Sequence, residues 1–299
     1  MNSAQIGNLR VSSLSLGTAA LTPGDEAAAV ILAARAAGID YFDTAPYYGL
    51  GQAELALGFA LEGVDRTTVT LSTKVGRTVD PDARSWSFDF SRDAVLRSLE
   101  FSLARLRTNH VDIVYVHDPD NHADEALDGA IPTLLQLRDE GVIGAVGAGM
   151  NQWQVPMRFI RESDIDVLLI AGRYSLLDAG AAVELFPACE ESGVAVVIAG
   201  VFNSGVLANP RDDAHYDYQP ASAERIARAR AIERVALGHG LTLRDLAVAF
   251  SAAPAVVRSV LLGASREHQV HENVAAFSAT VPDVIWTELE TLGLLPWGA

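Results

Sequence analysis

The sequence predicts a (β/α)8 barrel, also called a TIM barrel, in which eight parallel strands alternate with helices. Apolar, β-rich runs of about five to eight residues alternate with helical stretches from one end of the chain to the other. The composition does not change abruptly along the 299 residues, and no Pro/Ser-rich linker separates two halves. These observations favour a single closed barrel domain over residues 1–299 rather than a doubly wound open sheet.

The individual elements follow from the spacing of apolar residues and from residues that begin or end helices. The predicted strands are 14–20, 41–45, 69–74, 111–117, 143–148, 167–171, 194–199 and 259–263. The predicted helices include 25–37, 52–61, 91–106, 124–140, 181–191 and 224–237. Ahead of the first strand, two short extended pieces around Gly7 predict a β-hairpin that caps the barrel floor. Two long irregular segments, 76–90 and 202–221, each follow a strand and are expected at the barrel mouth.

Composition excludes several classes of protein. A hydrophobic content of 49% is enough to bury a large core, which excludes a disordered chain. The net charge of −16, from 22 basic and 38 acidic residues, disfavours nucleic acid and anionic membranes as partners. No apolar run reaches the roughly 18 residues of a membrane-spanning helix, and the first residues lack an export signal. We therefore expect a cytoplasmic protein without a membrane partner.

Cysteine and histidine spacing disfavours two further kinds of site. Cys189 is the only cysteine, so an internal disulfide is impossible. Its surroundings indicate the interior of a helix rather than a catalytic thiol. His268 and His271 are three residues apart, but no carboxylate accompanies them at the spacing of a zinc motif. No metal site is predicted.

Four polar side chains lie at or just after the ends of predicted strands, which is where barrel enzymes place their chemistry. Asp43, Lys74 and His117 each end a strand, and Tyr48 lies in the loop after the second strand. A buried lysine needs a paired carboxylate, and Asp43 is the expected partner of Lys74. The ammonium would lower the pKa of the Tyr48 phenol and make it an acid–base group. A neutral His117 would orient a carbonyl or hydroxyl beside it.

Each of these side chains also has a purely structural interpretation. Asp43 and Lys74 could form a structural ion pair, Tyr48 could be an aromatic on the rim, and His117 could be a satisfied core residue. Their occurrence together on successive strand ends favours a site that handles a C–O group.

These residues lie in motifs that resemble those of the aldo-keto reductases, over about 14–277. FDTAPYYG at 42–49, STK at 72–74 and the spacing from Val111 to His117 match the family's signatures. The resemblance implies a barrel that binds a nicotinamide cofactor and uses Asp43, Tyr48, Lys74 and His117 as its catalytic tetrad.

Within that family, the sequence is most similar to the aldose 1-dehydrogenases that act on L-fucose, D-threo-aldose, D-arabinose or L-galactose type sugars. The stretches that carry this likeness are FDFSRDAV, VHDPD, GAVGAGMNQW and AGRYSLLD. The resemblance thus implies hydride transfer from C1 of a sugar, with a lactone as the product.

The same resemblance implies a cofactor site. Asn151 would hold the carboxamide, although Met150 stands where relatives have a serine, and Tyr174 would stack on the nicotinamide. The stretch 200–208 would wrap the pyrophosphate through backbone amides. The other residues assigned to the cofactor are Gly200, Phe202, Ser204, Gly205, Leu207, Gly263, Ser265, Arg266, Gln269, Glu272 and Asn273.

The choice between NADP and NAD stays open at the level of sequence. Many relatives hold the 2′-phosphate of NADP with a lysine near Gly263 and an arginine near Gln269, and both are absent here. Arg266, close to a helix N-terminus, would be the substitute, or else a solvated surface charge.

The substrate pocket and three other functions complete the interpretation. Tyr47, Trp86, Asp118 and Trp153 are candidates to contact a sugar, or else to pack on the rim.

The same tetrad would also serve a reductase of small aldehydes or ketones, or a pyridoxal-type dehydrogenase. A nicotinamide-sensing regulatory subunit and a metal-dependent barrel isomerase are further alternatives. The sequence leaves open the sugar, the physiological direction and the oligomeric state.

Overall fold

A computed structural model describes residues 2–80 and 82–296 of the chain. The strands are β1 (Ser3–Ile6), β2 (Leu9–Ser12), β3 (Leu14–Gly17), β4 (Tyr41–Asp43), β5 (Thr70–Val75), β6 (Arg77–Asp80), β7 (Ser85–Phe88), β8 (Ile113–His117), β9 (Ala145–Met150), β10 (Val167–Ala171), β11 (Ala195–Ala199), β12 (His215–Tyr216), β13 (Gln219–Pro220) and β14 (Val257–Gly263). The helices are α1 (Asp25–Ala36), α2 (Gln52–Ala60), α3 (Arg92–Leu106), α4 (Ala123–Glu125), α5 (Ile131–Asp139), α6 (Pro156–Glu162), α7 (Leu185–Ser192), α8 (Ala223–Gly238), α9 (Leu243–Ala252), α10 (Glu267–Ser278) and α11 (Asp283–Thr291).

Eight of the strands close into a barrel. Their order around it is β3, β4, β5, β8, β9, β10, β11 and β14, and β14 then pairs with β3. All of these pairs are parallel, as expected when a helix or a longer crossover connects each strand to the next. The predicted barrel is confirmed.

The predicted hairpin is also confirmed, and it closes the barrel floor. β1 and β2 pair antiparallel around a turn at Gly7, whose φ is +53°. Ile6 and Val11 of this hairpin are fully buried in the same apolar cluster as the side chains that fill the barrel. Tyr41 and Tyr115 belong to this cluster, and their hydroxyls lie 2.9 Å apart. The floor is thus packed with side chains.

A second apolar cluster lies between the barrel and the surrounding helices. Hydroxyl side chains cap the first turn of α3, α8 and α9. Ser91 accepts a hydrogen bond from the Ala94 amide at the start of α3, and Ser222 does the same for the Arg225 amide at α8. α9 begins with a capping box between Thr242 and Asp245.

Both segments predicted as long irregular loops contain a short hairpin. β6 and β7 pair within 76–90, and β12 and β13 pair within 202–221. The predicted helix 124–140 is divided by a π-helical turn, Ala126–Ala130, which precedes α5. Among the described residues, no helix has both the length and the apolar character needed to cross a bilayer.

Candidate active site

A cavity of about 660 Å³ opens at the mouth of the barrel, where the carboxyl ends of the strands meet. Eleven of the residues that the sequence assigns to the site line it. They are Asp43, Tyr47, Tyr48, Lys74, His117, Asp118, Asn151, Gly200, Gly263, Ser265 and Gln269. The cavity therefore brings together the predicted tetrad and part of the predicted cofactor site.

Lys74 and Asp43 form a buried ion pair beneath this cavity. β4 and β5 are neighbours, and Asp43 is in register with Ser72. The Lys74 Nζ donates to Asp43 Oδ2 at 2.6 Å and to the Thr44 carbonyl at 2.9 Å, while Ser72 donates to Asp43 Oδ1 at 2.7 Å. Both charged side chains are 2% exposed. Burial is the largest single influence and would lower the pKa of Lys74, but the interactions with Asp43 and Tyr48 together raise this pKa, so the ammonium stays charged.

Tyr48 lies beside this ammonium. Its ring centre is 4.7 Å from the Lys74 Nζ. The turn after Tyr48 is left-handed at Gly49, Leu50 and Gly51, with φ between 52° and 92°. A Cβ on Gly51 would also approach Arg105 Cδ to 2.8 Å, so the Arg105 side chain would have to shift, and the positive φ itself favours glycine. This turn holds the ring over the strand ends.

The pKa of Tyr48 differs from the sequence-based expectation. Burial raises it above the usual value, and Lys74 opposes that rise only in part. Lys74 therefore lowers the pKa of Tyr48, as expected, but the net shift of this pKa is upward. Loss of water around the phenol outweighs the nearby positive charge.

His117 is the neutral member of the group. Its ring is 5.8 Å from that of Tyr48 and 5.9 Å from that of Tyr47, both nearly perpendicular. Burial lowers its pKa well below the usual value, and the positive charges of Lys74 and Arg77 lower it further. A neutral imidazole can donate to a substrate oxygen without repelling the ammonium. Its buried Nδ1 has no hydrogen-bond partner in the described chain.

Several residues assigned to the cofactor contact one another where β14 ends and α10 begins. Gln269 Oε1 accepts from the amides of Ser265 and Arg266 at 2.8 and 3.2 Å. Asn273 donates to the Gly263 carbonyl and accepts from Arg244 at 2.9 Å. These contacts shape the end of β14 and the start of α10. Asn273 is 3% exposed and its amide is already paired, so its place is behind the cavity wall.

The structure does not place Tyr174 in the cavity. Its ring is 5% exposed and packs against Phe186 and Phe250, each with ring centres 4.8 Å away. The reason is that Tyr174 lies beyond the end of β10, in a turn that directs its side chain into the helix layer. The cavity wall near that strand end is formed instead by Ala171 and Gly200.

Eight other assigned residues also lie outside the cavity lining. In the stretch after β11, Leu207 is fully buried in the core, and Ser204 accepts from the Tyr218 amide. Trp86 packs edge-on against Tyr47, with ring centres 5.3 Å apart. The remaining members of this group are Phe202, Gly205, Glu272, Arg266 and Trp153, none of which lines the cavity.

Two polar side chains of the cavity were missed by sequence reasoning. Arg77 begins β6 and enters the cavity, and Tyr218 reaches it from the β12–β13 hairpin. Arg77 follows a strand end by only two residues, which is a signal that could have identified it. Tyr218 offered no such signal, because its hairpin was predicted as irregular.

Cys189 has the structural role expected of it. It is fully buried within α7, and burial raises the pKa of its thiol to about 12. A thiol that remains protonated and enclosed is a poor nucleophile.

The closed (β/α)8 barrel and the buried acid–base group at its mouth indicate an oxidoreductase with a TIM-barrel fold. A model of the Aldo/keto reductase family matches residues 13–293. The D-threo-aldose 1-dehydrogenase of a Pseudomonas species is 38% identical over 91% of this chain and 89% of its own length. Pyridoxal 4-dehydrogenase of Microbacterium luteolum is 36% identical, over 96% of this chain and 95% of its own length.

A solved structure agrees with this result. An aldo-keto reductase of Bacillus halodurans, in its holo form, has a TM-score of 0.82 to this structure at 27% identity. The match covers 98% of this chain and 96% of that one. The chain belongs to the aldo/keto reductase family.

Proposed function

We propose that this protein is a nicotinamide-dependent aldose 1-dehydrogenase that oxidises C1 of a sugar to an aldonolactone. The observation that carries the proposal is the tetrad, in which a buried, charge-balanced Lys74 lies against Tyr48 with the neutral His117 beside them. The relative named D-threo-aldose 1-dehydrogenase supports the choice of sugar. The buried, unpaired Cys189 fits a reducing compartment, which supports a cytoplasmic location.

The residues of the cavity suit a nicotinamide group. The Gly263 backbone borders open space, since a Cβ built there would meet nothing nearer than the Gly17 carbonyl at 4.0 Å. A flat ring can approach such bare backbone closely. Asn151 lines the same space and would bind the carboxamide. When bound, the nicotinamide supplies the hydride acceptor.

The chain itself supplies position and proton transfer. His117 donates to the reacting oxygen and holds it beside Tyr48. In the oxidative direction, Tyr48 first releases its own proton to water, and the phenolate then accepts the proton of the anomeric hydroxyl. Lys74 stabilises that phenolate, and Asp43 keeps Lys74 charged and in place. In the reductive direction, the Tyr48 phenol returns the proton to the oxygen.

We propose that NAD is preferred over NADP. Arg266, the basic residue assigned to a 2′-phosphate, is paired with Glu26 of α1. This carboxylate would repel a phosphate but accept hydrogen bonds from ribose hydroxyls. A Glu26→Gln variant is expected to raise kcat/KM for NADP relative to NAD several-fold. An unchanged ratio would contradict this assignment of Glu26.

Absorbance of the reduced nicotinamide tests the function directly. Both cofactors are assayed against L-fucose, D-arabinose, L-galactose and their stereoisomers, with pyridoxine, small aldehydes and small ketones in the same panel. We expect cofactor reduction with at least one aldose and a lactone as the product. Turnover of pyridoxine or of simple carbonyl compounds alone would overturn the choice of sugar and leave the tetrad in place. Cofactor binding without turnover of any compound would favour a sensor.

A further inference from the structure

Arg77 is held in the cavity before any ligand binds. It follows Gly76, whose left-handed turn, with φ of +96°, starts the β6–β7 hairpin immediately after β5. Its guanidinium carbon lies 4.5 Å from the ring centre of Tyr47, 4.9 Å from Trp86 and 5.3 Å from Phe88. Contacts between a guanidinium and aromatic faces fix the orientation of the planar group.

Arg77 pairs with Asp118 at the wall of this cavity. Arg77 Nη2 is 2.9 Å from Asp118 Oδ2, and the side chains are 17% and 14% exposed. The Arg77 Nε is buried and, among the described residues, has no hydrogen-bond partner. A buried donor left unpaired costs free energy, so this arrangement favours a ligand that supplies an acceptor.

The backbone at Asp118 adopts a left-handed conformation. Its φ is +44°, in the left-handed region that residues other than glycine rarely adopt. The Asp118 amide donates to the Gly149 carbonyl at 2.9 Å, which fixes this conformation at the end of β8. Strain of this kind persists where the surroundings hold it, and it is concentrated at functional sites.

The pair lies close to the nitrogen of His117 that is expected to hold the reacting oxygen. Asp118 Oδ2 is 3.7 Å from His117 Nε2, the nitrogen that would donate to that oxygen. A hydroxyl on the neighbouring carbon would therefore lie within reach of both the carboxylate and the guanidinium. The carboxylate would accept its proton, and the guanidinium would donate to its oxygen.

The charge of the pair indicates the class of substrate. Asp118 balances Arg77, so the wall presents one donor and one acceptor without net charge. Such a wall matches an uncharged polyol and gives no attraction for a substrate carboxylate or phosphate.

We propose that the Arg77–Asp118 pair recognises the C2 hydroxyl of an aldose whose C1 reacts, so that the enzyme discriminates against 2-deoxy sugars. This inference rests on the proposed function and assigns Arg77 a role in specificity. Arg77 and Asp118 bind and orient the sugar, while proton transfer remains with Tyr48.

The test compares two sugars that differ only at C2, D-arabinose and 2-deoxy-D-ribose, by their kcat/KM values in each variant. In the wild type, we expect the 2-hydroxy sugar to be favoured by about 10- to 100-fold, which is typical of hydrogen bonds to charged groups. Asp118→Asn and Arg77→Gln are each expected to reduce this ratio to a few-fold. Because both sugars are measured on the same preparation, the ratio does not depend on the fraction of folded enzyme.

Arg225→Gln is the matched control. Arg225 also lies over an aromatic ring, 3.8 Å from the centre of Tyr216, but it does not line the cavity. It should keep the wild-type ratio. A wild type without C2 preference, or a preference retained in both Asp118→Asn and Arg77→Gln, would overturn the inference while the proposed function stands. Failure to turn over any aldose would overturn both.

Discussion

At the scale of single residues, the site depends on how burial shifts proton affinities. Lys74 remains charged because its interactions with Asp43 and Tyr48 together compensate for the loss of water. Tyr48 and His117 both shift towards their neutral forms, for which burial is the largest cause. The free site therefore holds a protonated phenol and a neutral imidazole, a combination suited to binding an uncharged C–O group.

The neutral state of His117 predicts a pH dependence of stability. In the unfolded chain, His117 takes up a proton below a pKa of about 6.5, whereas in the folded protein its pKa is well below that value. Stability contributed by the neutral ring is thus present above pH ~6.5 and falls as pH drops towards the folded pKa, by up to about 1.4 kcal/mol per pH unit.

Urea unfolding of the wild type and of His117→Gln between pH 7 and 5 measures this effect. The wild type should lose more free energy of unfolding than the variant across this range. His268→Gln, at an exposed position on α10, is the control and should follow the wild type. Equal slopes for the wild type and His117→Gln would show that His117 is not held neutral.

The four tetrad residues could be predicted because each ends a strand or follows one closely, and a barrel brings strand ends together. Tyr174 shows the limit of that argument. Sequence distance from a strand end does not reveal whether the following turn directs a side chain into the cavity or into the helix layer. Similarly, the net pKa of Tyr48 depends on how much water the folded walls exclude, which the sequence does not state.

At the scale of elements, the β6–β7 hairpin forms one wall of the substrate cavity. It carries Arg77 and Trp86 and packs against Tyr47. The sequence predicted an irregular loop here, because 77–88 lacks the apolar alternation of a buried strand. Its strands pair with each other rather than with the barrel, and Arg77 lies against the aromatic side chains of Trp86 and Phe88.

Gly76 positions this hairpin, which leads to a prediction at the same scale. A Cβ at Gly76 would clash with the Phe90 ring, in addition to the strain of its positive φ. Gly76→Ala should lower the free energy of unfolding by about 1–3 kcal/mol beyond the cost of the positive φ, because of the clash with Phe90. It should also raise KM for the aldose as the hairpin moves.

Gly63→Ala is the matched control for Gly76→Ala. Gly63 has a φ of +77°, but a Cβ there would meet nothing within 4 Å. It should therefore show the backbone penalty without a change in KM. Thermal unfolding and steady-state kinetics of both variants check this, and equal KM values would contradict the role of the hairpin.

At the scale of the whole molecule, the residues that stabilise the barrel floor and the residues of the candidate active site lie at opposite ends of the barrel. The floor is sealed by Ile6 and Val11, and the tetrad lies at the mouth. The alternation of strands and helices was enough to predict this architecture. Two helices were harder to predict. α6 has only seven residues, and α11 lies after the last barrel strand, outside the alternation of strands and helices.

This separation predicts that the floor can be weakened without loss of catalysis. Ile6→Ala should reduce the free energy of unfolding by about 2–5 kcal/mol, because Ile6 is fully buried, and should leave kcat unchanged below the unfolding transition. Val183→Ala, at a side chain that is 76% exposed, should change neither quantity appreciably. Loss of kcat in folded Ile6→Ala would show that floor and mouth are coupled.

The most direct test of the account is the turnover of a Tyr48→Phe variant, which lacks the phenolic hydroxyl and keeps the ring. Cofactor affinity, followed by fluorescence titration, should stay within a few-fold of the wild type. The rate of aldose oxidation should fall by about 10²- to 10⁴-fold, as expected for loss of a general acid–base group. An aldose oxidation rate within a few-fold of the wild type would contradict the assignment of proton transfer to Tyr48.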